Sequence, residues 1–372
     1  MKRYFALLLA LCLLLSACGA KEEAAAPTQP TPAETEPVTE PIPEVTEAPT
    51  EATEPPTEPP TEPPVVYRHP LTGEVLDSQW TVRPMASTIN NVPEALPQSG
   101  VSKADFFIEI ETEGAAPRCL AIFTDLSDLG ALGSIRSART YFNSLAISFD
   151  APLVHVGGSK YAKAAWHDVS GTPIENWEHI DLAGYESYSY RDQDRLNQGY
   201  AWEHTLFSSG ELLSKLLEKQ GFTTTDVVYD FGLQFDESPA ISGDTANTVV
   251  ITFQGGKSTT MTYNPDTGLY EAAQYNKTWI DAADDNSVLS FRNIFVLKAE
   301  RSRPNGEHSF YELIGSGEGY FACDGQIVKI LWSRPSLESP FSYTLEDGTP
   351  LTLGVGTSYM GIVTPSCDPS YS

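Results

Sequence analysis

CLAIFTDLSDLGALGSIRSARTYFNSLAISFDAPLVHV, residues Cys119 to Val156, is the stretch that decides the fold prediction. It begins with a short apolar run, Cys119 to Thr124, and ends with another, Leu153 to Val156, and both have the length of a strand. Between them, Ser137 to Phe149 predicts a helix, because large apolar residues recur there at every fourth position. A strand, a helix and a strand at this spacing predict a sheet covered by helices.

The neighbouring sequence supports the same interpretation. Phe106 to Ile110 is a further apolar run of strand length, and Glu211 to Gln220 carries a stripe of four leucines typical of a helix. Ser208 or Ser209 is placed to cap that helix, and Gly221 is placed to end it. We therefore expect an α/β (or α+β) N-terminal domain over residues 67–235.

Beyond residue 235 the sequence changes to short strands separated by tight turns. Gly255-Gly256 separates two alternating runs, and Asp324-Gly325 separates two more, which is the pattern of β-hairpins. We expect a smaller, mostly antiparallel β domain over residues 236–368.

The N-terminus predicts export and lipid anchoring. Lys2 and Arg3 precede an apolar run of about a dozen residues, which is too short to span a bilayer as a helix. The run ends in Leu15-Ser16-Ala17-Cys18-Gly19, which resembles the lipobox of bacterial lipoproteins. We predict a signal peptide over residues 1–17 and lipidation of Cys18, with palmitate-like acyl chains as the only membrane anchor. The alternative is an ordinary secretory signal that contains a cysteine.

Residues 18–66 are predicted to combine the lipidated cysteine with a disordered stalk. Gly19 to Pro64 holds thirteen prolines, eleven glutamates and no aromatic residue. A chain of this composition has little apolar surface to bury, and proline together with like charge keeps it extended. The stalk would hold a folded part away from the outer face of the cytoplasmic membrane.

Charge and cysteine content limit the function classes. The net charge is −27, and residues 65–372 still carry −19 once the signal (+2) and the stalk (−10) are set aside. This excess argues against nucleic acid and against electrostatic membrane binding as the partner. Cys119, Cys323 and Cys367 remain outside the signal and anchor, and we expect unpaired thiols rather than a disulfide.

The sharpest functional signal is Gly133-Ser134-Ile135-Arg136-Ser137-Ala138-Arg139. On the first turn of the predicted helix the two arginines would face the same side, and Ser134 or Ser137 would cap the free amides. A helix start flanked by arginines is suited to a phosphate or carboxylate. The alternative is that the arginines form structural ion pairs with Asp105, Glu109, Glu111 or Glu113.

A second signal is His155-Val156-Gly157-Gly158-Ser159 at the end of a predicted strand. Glycines permit close approach of a ligand, and His155 is a candidate proton relay. A Gly-Gly turn beside a structurally satisfied histidine is the alternative. Three histidines, 155, 167 and 179, are twelve residues apart, which is no metal-ligand spacing, so we expect no metal and no cofactor.

These motifs and several others resemble the YerB-like lipoproteins, a Gram-positive group whose domain has no known function. The matching segments are Arg83-Pro84, Ile89-Asn90-Asn91, Pro97 to Asp105, Glu113-Gly114, Arg118 to Phe123, the Gly133 to Arg139 stretch, Tyr141-Phe142, His155 to Ser159, His204 to Phe207, Gly315-Ser316-Gly317 and Trp332. The resemblance covers nearly everything after the stalk and implies the same division into two domains. This chain departs from the family pattern in three places: Ala115-Ala116-Pro117 before Arg118, Ser134 in place of proline, and Glu271 where an arginine is usual.

We expect a binding module rather than an enzyme, with an anionic cell-envelope ligand held in an arginine-lined cleft. Cell-wall polymers and lipid-linked phosphates are the ligands considered. The alternative is a phosphotransferase-like enzyme acting on a lipid-diphosphate precursor, loosely similar to the LytR–CpsA–Psr transferases, with Asp105, Glu109 and Glu113 as its acids. The candidate ligand-binding residues are Arg118, Arg136, Ser137, Arg139, His155, Gly157, Gly158, Ser159, Asn90, Gln98, Ser99, Asp105, Glu113 and His204.

Overall fold

The computed structural model describes residues 65–166, 173–175, 177–223 and 227–372. The predicted signal peptide, the lipidation site Cys18 and nearly all of the predicted stalk lie outside the described residues. Within the described ranges, no helix has the length and apolar character needed to cross a bilayer.

The described residues form one large mixed sheet of eleven strands. Ten of these strands follow one another across the sheet in the order Asp244–Thr245, Gln326–Arg334, Gly315–Cys323, Asn293–Lys298, Ser358–Val363, Phe106–Glu111, Pro117–Phe123, Met85–Asn90, Leu153–His155 and His179–Asp181. The eleventh, Ser342–Leu345, also pairs with Gln326–Arg334. Strands from both halves of the chain meet where Phe106–Glu111 and Ser358–Val363 pair in parallel.

A second sheet is antiparallel and comes from the C-terminal half. Its strands are Lys277–Thr278, Leu269–Gln274, Ser258–Asn264, Thr248–Thr252 and Ser370–Tyr371 in that order, with Ser290–Phe291 paired to Leu269–Gln274. The smaller sheets are Ala131–Gly133 with Leu206–Ser209 and Tyr190–Arg191, Tyr67–Arg68 with Val75–Leu76, Gln234–Asp236 with Thr352–Gly354, Ile280–Asp281 with Ser287–Val288, and Arg301–Ser302 with Phe310–Tyr311.

Helices are few and short in the described part of the chain. The α-helices are α1 (Thr140–Ser148), α2 (Lys160–Lys163), α3 (Gln193–Asn197) and α4 (Gly210–Gln220), and the 3₁₀ turns are Pro93–Ala95, Val101–Lys103, Glu113–Ala115, Leu182–Gly184, Glu186–Tyr188 and Trp202–His204. The predicted leucine helix is confirmed as α4: the Ser209 hydroxyl accepts from the Leu212 amide at 3.3 Å, and Gly221 ends it at φ +72°. The other predicted helix is shorter than expected, since α1 begins at Thr140.

The fold class is confirmed at the level of a mixed, sheet-rich protein with few helices. Both predicted hairpins are present, because strands on either side of Gly255-Gly256 and of Asp324-Gly325 pair antiparallel. Most strand pairs of the second half are antiparallel, as expected, and Ser358–Val363 is an exception because it lies parallel to both of its neighbours. The domain boundary at residues 235 and 236 stays a prediction.

The predicted unpaired thiols are confirmed. Cys119 and Cys323 are buried and Cys367 is partly buried, and all three are free.

Two central strands are buried along their whole length, so successive side chains enter two different cores. Phe106, Ile108 and Ile110 lie on one face with α1, and the even-numbered residues of Pro117–Phe123 share that face. The opposite face carries Phe107 and packs against the antiparallel sheet. Polar residues in these strands are therefore committed to one core or the other.

Glu109 lies on the face that packs against the antiparallel sheet. Its side chain is fully buried and pairs with Lys257, whose side chain is only 5 % exposed. The carboxylate also accepts from Thr259 Oγ1 and Tyr359 Oη, each at 2.6 Å, and from Asn91 Nδ2 at 2.7 Å. This complete set of donors neutralises a charge that would otherwise be very costly to bury.

Removing one side of this ion pair should be far worse than removing both. Lys257→Met leaves Glu109 buried without its counter-charge, and we expect the free energy of unfolding to fall by about 3–5 kcal/mol. Adding Glu109→Leu to Lys257→Met should recover much of that loss. Urea denaturation of the two variants and the wild type measures both effects, and equal losses for the single and double variants would contradict this account.

Candidate functional site

Arg118 is a buried cation without a counter-ion. It lies on Pro117–Phe123, and strand alternation turns it toward the α1 face. It is only 8 % exposed, yet among the described residues no carboxylate lies within 4.0 Å of its guanidinium. Within the described ranges, its one hydrogen-bond partner is the Ser137 carbonyl oxygen, to which Nη1 donates. Burial, together with the positive charges of Arg139 and Arg136, lowers the pKa of Arg118 to about 9, whereas the more distant Glu113 acts in the opposite direction.

Arg334 shows what a structural arginine looks like in the same protein. It is fully buried and also lacks a carboxylate partner among the described residues, but its nitrogens donate five hydrogen bonds. Four of the acceptors are carbonyl oxygens, and the fifth is the Ser144 hydroxyl at 2.8 Å. Arg118 has one such bond, and its Nε and Nη2 retain some solvent access. Arg118 therefore has unused donors that Arg334 does not have.

The segment carrying Arg136 and Arg139 is extended, which corrects the prediction that it begins the helix. Arg139 is the N-cap residue of α1 with φ −131° and ψ 160°, and no side chain caps the helix. Arg136 lies before the helix, beside Thr88: its amide donates to the Thr88 carbonyl at 3.0 Å. The prediction that Arg136 and Arg139 face the same side of a helix was therefore wrong, and Ser134 and Ser137 do not act as caps.

Two of the three arginines are already paired with carboxylates, so the alternative of structural ion pairs is correct in part. Arg139 Nε lies 2.7 Å from Glu113 Oε2, a pairing that the sequence allowed. Arg136 Nη2 lies 3.6 Å from Glu203 Oε1, a partner that the sequence did not suggest, and its buried Nε has no hydrogen-bond partner. Arg118 alone of the three lacks a paired carboxylate.

Tyr141 adds a second unused polar group to this cluster. Its side chain is almost completely buried at the start of α1, and its hydroxyl has no hydrogen-bond partner among the described residues. Burial first, and then the charge of Glu113, raises the pKa of Tyr141, whereas Arg139 and Arg118 lower it. The hydroxyl is a neutral donor that lies within electrostatic range of both arginines.

Several other predicted residues surround the same cluster. Asn90 is the strand partner of Arg118, and its amide nitrogen lies 2.8 Å from His204 Nδ1. The Gly157 carbonyl accepts from the Ala138 amide at 3.1 Å, and Ser159 caps α2 through the Ala162 amide. Gly157 itself has φ +63°, a conformation that favours glycine. The loop from Gly157 to Ser159, including Gly158, thus lies beside Arg136 and Ser137.

The His155 ring belongs to a separate stack of aromatic rings. Its Nδ1–H donates to the Gly157 carbonyl at 2.7 Å, so Nε2 accepts from His179 Nδ1–H at 2.9 Å. The His179 ring in turn stacks on Trp177 with centroids 3.7 Å apart. Burial lowers the pKa of His155 to about 4, and both ring nitrogens are occupied by protein. This geometry matches the alternative of a satisfied structural histidine.

Three predicted residues lie away from the arginines. Gln98 donates to the Asn91 side chain and accepts from Trp279 Nε1 at 2.7 Å, and it lines a separate cavity of about 300 Å³. Ser99 pairs through its backbone with Gly133. Asp105 precedes Phe106, at the far end of the strand pair, where it accepts from Thr124 and where burial raises its pKa to about 6. These three do not share a cleft with Arg118.

Sequence reasoning missed the C-terminal contribution to this region. Ser309 donates its amide to Glu113 Oε1 at 2.9 Å, and its hydroxyl accepts from Arg301 and Arg303. Arg301 also pairs with the buried carboxylate of Glu111. The signal was present as Arg301-Ser302-Arg303, two arginines two residues apart in an acidic chain, but its position beside the N-terminal cluster depends on long-range pairing.

Two family models match the chain. The N-terminal domain of a protein of unknown function (DUF3048) matches residues 71–223, and the C-terminal domain of the same family matches residues 249–360. A Bacillus subtilis (strain 168) protein described as "Putative lipoprotein YerB" is 27% identical over 271 residues, which cover 71% of this chain and 77% of that protein. The crystal structure of YerB protein from Bacillus subtilis has a TM-score of 0.68 at 24% identity, and the match covers 82% of this chain and 99% of that one.

Replacing Arg118 by an apolar residue should stabilise the protein. Burial lowers the pKa of both Arg118 and Arg334, so burying either cation costs free energy, but Arg118 recovers one hydrogen bond and Arg334 recovers five. We expect Arg118→Met to raise the free energy of unfolding at pH 7 by on the order of 1 kcal/mol or more. Arg334→Met is the matched control, and it should lower the free energy of unfolding by on the order of 3 kcal/mol because buried acceptors lose their donors. Thermal denaturation compares the two variants, and destabilisation of similar size by both would show that Arg118 is structural.

Proposed function

Because the chain belongs to the DUF3048 family, the YerB-like lipoproteins, whose molecular function is unknown, we propose that it is a membrane-anchored binding protein for an anionic ligand of the cell envelope. The matches confirm the family that the sequence motifs indicated. The ligand would enter beside Arg118, between Tyr141 and the extended segment that carries Arg136 and Arg139.

The uncompensated charge of Arg118 is the observation that carries this proposal. Elsewhere in the protein a buried charge is met by a counter-ion, as in Glu109 with Lys257, or by a full set of acceptors, as in Arg334. A guanidinium with two unused nitrogens can bind two oxygens of a phosphate or carboxylate at once. An external anion would supply the missing counter-charge, and its binding would recover the cost of burying Arg118.

Backbone groups favour an anion at the same place. Among the described residues, the amides of Thr140 and Tyr141 at the start of α1 donate to no protein acceptor. Free amides at a helix start carry partial positive charge and bind anions. The unpartnered Tyr141 hydroxyl adds a further donor. An anion there would receive hydrogen bonds from side chain and backbone together.

The alternative of a phosphotransferase-like enzyme has no comparable support. Its three candidate acids lie in separate networks: Asp105 accepts from Thr124, Glu109 pairs with Lys257, and Glu113 pairs with Arg139. Across the described ranges, no group of three or more His, Cys, Asp or Glu residues is arranged to hold a metal ion. The geometry therefore favours binding over transfer.

Anchoring would place this site outside the cell. The relative described as a putative lipoprotein suggests membrane attachment, and Cys18 follows a lipobox-like sequence in this chain. We expect intact-mass spectrometry of the membrane-extracted protein to show a mature chain that begins at an acylated Cys18. A mature chain that begins elsewhere, or that lacks acyl mass, would contradict the proposed anchor.

Binding of inorganic phosphate to the exported chain should depend on Arg118. We expect Arg118→Met to weaken phosphate binding about tenfold or more, which corresponds to the loss of one charge-assisted bidentate contact. Arg191→Gln, at a partly exposed arginine stacked on Trp202, is the control for loss of one positive charge elsewhere. Isothermal titration calorimetry measures both, and equal affinities for Arg118→Met and the wild type would refute the proposed site.

A further inference from the structure

A second set of arginines lies beside the first and lines an open pocket. The pocket has a volume of about 550 Å³, and Arg301 and Arg303 form part of its wall together with Glu111, Gly114, Ala115, Gln254 and Gly255. Arg301 is paired with Glu111, but Arg303 is exposed, and among the described residues no carboxylate lies within 4.0 Å of it. The pocket therefore contains an unpaired positive charge.

Hydrogen bonds connect the wall of this pocket to the Arg118 cluster. Arg303 donates to the Ser309 hydroxyl at 3.2 Å, the Ser309 amide donates to Glu113, and Glu113 pairs with Arg139. A second connection runs through aromatic rings, since the Arg301 guanidinium lies over Tyr311 and the Tyr311 ring contacts Tyr141. Only a few side chains separate the two unpaired guanidinium groups.

Cations from four separate segments gather in this region: Arg118 on its strand, Arg136 and Arg139 before α1, Lys160 and Lys163 on α2, and Arg301 and Arg303 on a C-terminal hairpin. Asn305 on that hairpin donates to the Tyr161 hydroxyl of α2 at 2.8 Å, so the two segments are in contact. Three of the arginines are paired with the carboxylates of Glu113, Glu203 and Glu111. Arg118 and Arg303 have no such partner among the described residues, and unpaired cations attract anions.

We propose that the ligand is a linear polyanion whose phosphate groups repeat along its chain, with one phosphate at Arg118 and a later one in the Arg303 pocket. This inference rests on the proposed function and specifies its ligand class. A single small anion can use only one of the two unpaired guanidinium groups at a time. A chain of phosphates uses both, and the second contact then forms at high effective concentration.

The test compares a one-phosphate probe with a many-phosphate probe on the exported full chain. Inorganic phosphate and linear polyphosphate are titrated into the wild type, Arg118→Met, Arg303→Gln and Gln254→Glu. In the wild type, Arg301 Nη1 donates to the Gln254 amide oxygen. Gln254→Glu keeps the shape of the pocket but adds a negative charge beside Arg301. Lys329→Gln removes one exposed positive charge far along the main sheet and serves as the matched control.

We expect Arg303→Gln and Gln254→Glu each to weaken polyphosphate binding about tenfold, with no change in phosphate binding and no effect from Lys329→Gln. Arg118→Met should weaken both probes. If Arg118→Met weakens both but neither pocket variant exceeds the control with polyphosphate, the polyanion inference is overturned and the proposed function stands. If the wild type binds neither probe, the proposed function fails, and the inference that rests on it fails too.

Discussion

In two fully buried strands, the alternation of side chains sends neighbouring residues into different cores. Phe106–Glu111 and Pro117–Phe123 lie between neighbouring strands on both sides and cores on both faces, so their residues are buried along the whole length of each strand. Alternation sends Glu109 toward the antiparallel sheet, where Lys257 neutralises it. The same alternation places Arg118 on the α1 face, where no carboxylate among the described residues pairs with its guanidinium. Strand alternation thus places both the paired charge of Glu109 and the unpaired charge of Arg118.

The contrast between these charges separates structure from proposed function. Stability favours complete pairing of every buried charge, and Glu109 and Arg334 follow that rule. A binding site needs donors that are held rigidly but left unused, and such donors cost stability until the ligand arrives. Arg118 and the Tyr141 hydroxyl are buried donors of this kind, with bonds left unused among the described residues.

The sequence predicted local features well and long-range ones poorly. The leucine helix and both hairpins follow from periodicity and turn residues within a few positions, and the free cysteines were expected from their odd number and wide spacing. The helix start at Ser137 failed because the Arg136 backbone bonds to Thr88, a partner about fifty residues away. The pairing of Arg136 with Glu203 and the approach of Arg303 through Ser309 are also set by tertiary contacts. Arg118 itself was identified from a motif, but its unpaired state could be read only from the packing.

Direct observation of an anion beside Arg118 would test the central claim most simply. Tungstate has the tetrahedral shape and charge of phosphate, and its anomalous scattering locates it without ambiguity in a crystal of the soaked protein. We expect a tungstate peak within hydrogen-bond distance of Arg118 Nε or Nη2 and near the first amides of α1. A crystal in which those nitrogens instead bond to protein atoms, with tungstate bound elsewhere or absent, would contradict it.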